Sequence, residues 1–307
     1  MSDASPFGLL AVDKPAGPTS HDVVEAARRA LGLKRVGHTG TLDPAAEGVL
    51  LLLVGPAVRC LPHLPDWPKT YEAVARLGVT TDTDDAAGKE LLRRPVKNMT
   101  ESGVREALAA LAAKTEQVPP NFAAVKIGGE RAYAKARRGE TPAVKARPVR
   151  IDSLELLEFM GDRIRFRMQC GGGTYVRSVC RDLGEALACG AHCASLTRTA
   201  IGPFLKAEAL PLAQLTGETG RARIKGLPDV FGPERCLTPP DDALAGIPRG
   251  RGWEFAPADA PPQDDGSPPA AGEKGRSRLA VSPAGVPLAI VRRHGRVWQP
   301  EVVFPGP

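Results

Sequence analysis

VLLLLV, residues 49–54, is an uninterrupted run of bulky aliphatic residues, which predicts a buried strand. GLLAVDKP (8–15) predicts a second short buried strand, ended by its proline. Between them, TSHDVVEAARRAL (19–31) has helical spacing. Val23, Val24, Ala27 and Leu31 share one face, Asp22 falls in the first turn, and Ser20 is the expected N-cap. TYEAVARLG (70–78) alternates as a strand, and TESGVREALAALAAK (100–114) predicts a helix whose stripe is Val104, Leu108 and Leu111. VRIDSLELLEF and DRIRFRMQC follow as strands. In the second, Arg163, Arg165 and Arg167 face one way and Ile164, Phe166 and Met168 the other. GGGTY (171–175) breaks the pattern. VRSVCRDLGEALA (176–188) reads as a helix with Val176, Val179, Leu183 and Leu187 on one side, and SLTRTAIGPF (195–204) as a strand.

This mixture lacks a βαβ rhythm. It predicts an α+β fold in which helices flank a mixed, largely antiparallel sheet. The C-terminal part differs. RLAVS, VPLAIVRR and VWQPEVVF are short strands separated by PAG and HG turns, and they predict a small β-rich domain over 236–307. A Pro-rich stretch, 256–277, reads as an inserted loop or linker. The expected division is 1–235 and 236–307.

No apolar run is long enough to span a bilayer, and the first twenty residues carry no signal-peptide pattern, so a soluble cytoplasmic protein is expected. The six cysteines (60, 170, 180, 189, 193, 236) form no Cys-x-x-Cys pair and are expected as reduced thiols. Cys189, His192 and Cys193 cluster in CGAHC, but without a fourth ligand they are expected to pack a turn. Net charge is +6, and residues 121–150 carry as much on their own: eight cations, Lys126, Arg131, Lys135, Arg137, Arg138, Lys145, Arg147 and Arg150, against Glu130 and Glu140. Phe122 and Tyr133 are interleaved with them. Such a segment is either a solvated face or a surface that pairs phosphates and stacks bases.

The polar stretch GHTGTLDPAAEG (37–48) stands directly before the buried run. Pro44 holds Asp43 extended, the glycines allow tight turns, and Thr39 and Thr41 can donate to a carboxylate. The stretch is no phosphate-binding P-loop, and the chain has no Gly-x-Ser-x-Gly elbow. Asp43 near cations suits nucleophilic or general-base work. An ordinary Asp-Pro turn, or a carboxylate pair with Glu47 of the glycosidase kind, also fits the residues alone.

LLAVDKPAGPTSHDVV, KRVGHTGTLDPAAEGVLLLLVG, KTYEAVARLGVTTDTDDAAG, ARPVRI and GGGTYVRSVCRDLGEALACGAH occur in that order. Over about residues 8–215 the chain resembles the bacterial tRNA pseudouridine-55 synthases, the TruB family. The resemblance implies an isomerase that flips a uridine out of the tRNA T-loop, breaks its N-glycosidic bond and rejoins the base through carbon 5, with no metal or organic cofactor. Asp43 then matches the essential aspartate, Tyr71 the tyrosine that stacks on the target base and moves its proton, and Arg177 the arginine paired with the aspartate. A close pair of that kind lowers a carboxyl pKa by about 1–3. Tyr175 matches a second aromatic of the pocket, His38 a histidine that holds the RNA once the uridine leaves its stack, and Lys14 a support near the pocket. The basic segment falls where the family carries an RNA-gripping insertion (about 118–148). Lys126, Arg131, Arg137, Arg138 and Arg147 are its expected phosphate contacts, and the segment is expected to be mobile until RNA binds. The tail corresponds to a PUA-like RNA-binding domain, with the Pro-rich stretch as a departure from the family pattern. The T-arm of tRNA is the implied partner of a monomer needing no guide RNA. A guide-dependent synthase and a tRNA-folding chaperone are the rivals, and one protein could both modify and fold tRNA.

Overall fold

The computed structural model describes residues 7–122, 145–254 and 277–305, together with the backbone of 126–127 and 130–131. In chain order the elements are β1 (Gly8–Lys14), α1 (Ser20–Leu31), β2 (Val36–His38), β3 (Glu47–Val54), β4 (Lys69–Leu77), β5 (Val79–Thr81), β6 (Glu90–Arg93) and α2 (Glu101–Ala112). Four short strands follow: β7 (Glu116–Gln117), β8 (Lys126–Ile127), β9 (Glu130–Arg131) and β10 (Arg147–Pro148). Then come β11 (Ile151–Met160), β12 (Arg163–Cys170), α3 (Val176–Ala186), β13 (Ala191–Ile201), β14 (Phe204–Leu205), β15 (Leu210–Pro211), α4 (Gly217–Ala222) and α5 (Leu227–Phe231). The last part holds β16 (Cys236–Leu237), α6 (Asp241–Leu244), β17 (Trp253–Glu254), β18 (Arg278–Val281), β19 (Pro287–His294) and β20 (Val297–Val303).

The central sheet runs β11-β12-β4-β13-β3-β1-β15, with β2 added to β3 and β14 to β13. Its pairs are antiparallel except β13–β3 and β1–β15, so the expected mixed, largely antiparallel sheet is present. The β13–β3 seam is short, joining Thr197 to Glu47 and Arg198 to Gly48. It divides the sheet into two halves. On one half α2 and α3 cover β4, β12 and β13. Val104, Leu108, Leu111, Val176, Val179 and Leu183 meet Ala73, Ala75, Ile164, Phe166 and Met168, as the helical stripes predict.

The other half explains why VLLLLV never alternates. Side chains on a strand point to opposite faces in turn. Leu50, Leu52 and Val54 pack on Val23, Val24, Ala27 and Leu31 of α1. Val49, Leu51 and Leu53 point the other way, into a cluster with Leu227, Phe231, Leu279, Ile290, Val302 and Phe304. From Val49 onward both faces of β3 are therefore dry, and polar residues have no place in that run. The second face is supplied by a five-stranded C-terminal sheet, β16-β18-β19-β20-β17, which has a further small core around Trp253, Ala289, Val291 and Trp298. The three C-terminal strands fall where the pattern put them. The Pro-rich insertion, apart from its last residue Ser277, lies outside the described residues.

One local expectation changes. The N-cap of α1 is Thr19, whose hydroxyl accepts from the Asp22 N–H while the Asp22 carboxylate accepts from the Thr19 N–H, a closed capping box. Ser20 is one residue inside, and its hydroxyl is committed elsewhere: it donates to the Leu42 carbonyl at 2.9 Å and accepts from the Leu42 N–H at 2.8 Å. The arginine face of β12 is partly paired, because Glu72 on β4 takes both Arg165 (2.7 Å) and Arg167 (2.9 Å).

Of the glycines in the polar stretch, Gly48 is the one with a left-handed backbone, φ 104°. A Cβ there would lie 2.1 Å from the Arg198 carbonyl oxygen across the β13–β3 seam. Gly48→Ala is expected to cost about 1–3 kcal/mol through strain and loss of the seam. Thermal unfolding measures this, and an unchanged midpoint would contradict the account.

Candidate active site

The seam opens into a cleft of about 250 Å³ whose walls include Thr41, Leu42, Asp43, Tyr71, Tyr175, Arg177, Leu196 and Arg198. Four elements meet there: the loop before β3, strand β4, the start of α3 and strand β13. Of the residues expected from sequence, Asp43, Tyr71, Arg177 and Tyr175 are brought together.

The Asp43 loop is held from beneath by side chains that take its backbone groups. Ser20 holds Leu42 in both directions. The fully buried Lys14 donates from Nζ to the carbonyls of Pro15 (2.8 Å), Pro44 (3.2 Å) and Ala46 (2.7 Å). Burial pushes the Lys14 pKa down, and Asp43 is the first of the charges opposing that shift. Lys14 thus supports the loop from below, outside the walls of the cleft. Arg198, 1 % exposed, donates to the carbonyls of Val49 (2.7 Å), Gly40 (3.2 Å) and Thr41 (3.4 Å). Two desolvated cations thus fasten this loop through carbonyl oxygens.

Arg177, buried in the first turn of α3, meets the Asp43 carboxylate with two nitrogens: Nε to Oδ2 at 2.8 Å and Nη2 to Oδ1 at 3.2 Å. That fork fixes the plane of the carboxylate. The rest of the guanidinium is also engaged. Nη1 donates to the Thr83 carbonyl (2.9 Å) and lies 3.6 Å from an Asp85 oxygen, while Nη2 also donates to the Phe122 carbonyl (3.1 Å). Asp85 is itself fixed by Thr83 Oγ1 (2.6 Å) and the Ala87 N–H (3.0 Å).

The electrostatics differ from the expectation of a depressed aspartate. The Asp43 side chain keeps 36 % of its surface open. Even so, the surrounding walls remove enough water that burial pushes its pKa above the ordinary aspartate value. Arg177 pulls against that shift, and Asp85 adds to it. Burial outweighs the cation, whose guanidinium is also shared with Asp85 and two carbonyls.

Tyr71 is 8 % exposed and Tyr175 is half-buried at the N-cap of α3, and burial raises both phenols. Gln117 locks the Tyr175 backbone, donating from Nε2 to its carbonyl (3.1 Å) and accepting its N–H at Oε1 (2.9 Å). His38 is on β2, paired to Leu52, and is not among the residues lining the cleft. Its Nδ1 is buried without a hydrogen-bond partner among the described residues, and burial lowers its pKa. Lys126 and Arg131 occupy paired positions of the β8–β9 hairpin. Arg147 is exposed on β10, opposite Gln117. Arg137 and Arg138, and with them most of the segment expected to be mobile, lie outside the described residues. In CGAHC, His192 Nδ1 bonds the Val79 carbonyl at 2.9 Å, and all six cysteines are free.

Sequence reasoning passed over Asp85, Gln117 and Arg198. Asp85 sits among acidic and hydroxyl neighbours in TDTDDAAG, where no spacing singles it out. Arg198 carried a signal: it is a cation in the middle of an otherwise neutral strand.

Residues 28–176 match the N-terminal domain of the TruB family pseudouridylate synthases, and residues 177–245 match the tRNA pseudouridylate synthase B C-terminal domain. A tRNA pseudouridine synthase B of an Arthrobacter species is 38 % identical over 304 residues, 97 % of this chain and 96 % of the relative. Enzymes of the same name from a Synechococcus species and from Xanthomonas campestris are 44 % and 46 % identical. The first alignment covers 80 % of each chain and the second 68 % of each. Among solved structures, a chain in a Cbf5-Nop10-Gar1 complex has a TM-score of 0.70 at 24 % identity, covering 98 % of this chain and 85 % of that one. A chain in an H/ACA RNP bound to a substrate RNA containing 2'-deoxyuridine has a TM-score of 0.69 at 22 % identity, with 98 % and 86 % covered. These two establish the shared fold. With both family domains matched, and with a relative aligned along nearly its whole length, the chain belongs to the TruB family of pseudouridylate synthases.

Proposed function

We propose that this protein converts uridine 55 in the T-loop of tRNA to pseudouridine, acting as a monomer in the cytoplasm without a guide RNA. One observation carries the reading: a carboxylate, Asp43, is forked by Arg177 in the wall of a cleft that Tyr71 and Tyr175 also line. A nucleoside must leave its stack to enter such a cleft, at a cost of a few kcal/mol, and the Tyr71 ring offers a surface that offsets part of it. Asp43 then works on the sugar, either by attack on the anomeric carbon or by removing the 2′-proton, and Arg177 holds the carboxylate in one orientation for both routes. Tyr71 moves the carbon-5 proton of the base. His38 meets the RNA beside the cleft, and the cations of the 118–148 insertion grip phosphates, so affinity falls steeply with salt. The catalytic part spans 1–235, and 236–307 forms the PUA-like module. The same RNA grip supports tRNA folding, which needs no carboxylate.

The name shared by the relatives, tRNA pseudouridine synthase B, supports tRNA as the substrate class. The test is to treat unmodified tRNA transcripts with the protein and map pseudouridine at single-nucleotide resolution. The expected product has one new pseudouridine, at position 55, and none when that uridine is replaced by cytidine. Modification at other sites only, or none at all, would overturn the assignment.

A further inference from the structure

A buried cation borders the cleft beside Tyr71 and has no part in the chemistry so far proposed. Arg198 and Tyr71 are register partners on neighbouring strands β13 and β4, and both line the cleft. Arg198 is 1 % exposed and Tyr71 8 %. All three guanidinium nitrogens are directed at carbonyl oxygens, those of Val49, Thr41 and Gly40. No carboxylate is among those hydrogen-bond acceptors, so its positive charge is held in place by neutral dipoles and left unneutralised by them. Burial raises the Tyr71 phenol, and the charge of Arg198 is the largest influence opposing that shift. Cys170 and Asp43 act in the other direction, together with burial. Lys69 and Arg177 line the same cleft.

We propose that Arg198 is a positioning residue for proton transfer: it fixes a positive charge beside Tyr71 that lessens the cost of a phenolate there, so that Tyr71 can act as the base at carbon 5 of the uracil ring. The inference rests on the proposed role of Tyr71 in pseudouridine formation. In the step concerned, the base is already joined to the sugar through carbon 5. The C5–H bond breaks and its proton passes to Tyr71 Oη. The bonding pair forms C5=C6, the N1=C6 π pair moves onto N1, and N1 takes a proton from water. Tyr71 returns its proton to solvent. A neutral phenol is a poor acceptor for that proton. In a dry cleft the phenolate is costly unless a fixed cation lies beside it.

Tyrosine occurs only three times in the chain, at 71, 133 and 175, which makes the test clean. Protein labelled with ¹³Cζ-tyrosine is titrated by NMR, and Tyr71→Phe assigns the signal. In Arg198→Gln the Tyr71 midpoint is expected to move to higher pH, and in Arg198→Lys to stay near that of the parent. An unmoved midpoint in folded Arg198→Gln overturns the proposal, whatever the substrate proves to be. The second readout is release of tritium from carbon 5 of uridine in tRNA, expected to slow by about a hundredfold in Arg198→Gln. Replacing tyrosine throughout by the more acidic 3-fluorotyrosine is expected to restore roughly tenfold of that loss. No recovery overturns the proposal. If Arg198→Gln does not fold, fluorotyrosine in the parent protein decides: the rising limb of the pH–rate profile moves to lower pH if a phenolate is the base and stays put if it is not. Failure of the parent to release tritium at all would instead sink the functional reading, leaving the NMR result to stand on its own.

Discussion

Asp43→Asn is expected to reduce tritium release from carbon 5 of uridine by about 10⁴-fold or more while leaving tRNA affinity within a few-fold. The substitution keeps the shape of the side chain, and the loop beneath it is fixed by Ser20, Lys14 and Arg198 through backbone groups that it does not touch. What it removes is the charge. An amide can neither attack the sugar nor take its proton, so both routes open to Asp43 close together. Glu47 is exposed at the start of β3, and Glu47→Gln is expected to be close to neutral. A loss on Glu47→Gln comparable to that on Asp43→Asn would revive the paired-carboxylate alternative.

Arg177→Met is expected to lower kcat by about 10²–10³-fold at neutral pH and to shift the acid limb of the pH–rate profile. The sign follows from the surroundings of Asp43. Its pKa is already raised by burial, and Arg177 is the first influence pulling it down. Without that cation the carboxyl ionises at still higher pH, so the limb moves to higher pH and part of the lost rate returns on the alkaline side. Asp85→Asn should do the reverse, because Asp85 raises the Asp43 pKa and its loss lets Asp43 ionise at lower pH. Profiles of kcat/KM between about pH 4 and pH 9 measure both. If the two variants moved the limb in the same direction, Arg177 and Asp85 could not be acting on Asp43 through charge.

Much of the fold is legible in the alternation of side chains. The stripes of α1, α2 and α3 and the paired faces of β12 are those the sequence shows, because each element has one wet face and one dry face. β3 was legible as buried, while the reason it never alternates was not, since that depends on a sheet built from the far end of the chain. The site divides in the same manner. Asp43 is marked by its proline and glycines. Tyr71, Arg177 and Tyr175 are marked by their motifs. The direction of the Asp43 pKa was not legible, since it is set by how much water the assembled walls exclude and by Asp85, which shares the guanidinium with it. Thr19 displaced Ser20 as the cap for a related reason: Ser20 was already needed by Leu42, and contacts across 22 positions leave no trace in local spacing.

The cluster that joins β3 to the tail has a mechanical meaning. Leu51 and Leu53, just beyond the seam, share that cluster with Ile290, Val302 and Phe304, and Phe7 packs its ring, tilted, against Phe304 at 5.5 Å between ring centroids. A tail seated in this manner behaves as a buttress behind β3, the strand that follows the Asp43 loop. Cutting it away would leave the strand that carries the Asp43 loop with one face open to solvent, and the loss would be felt first as a softened floor under the carboxylate.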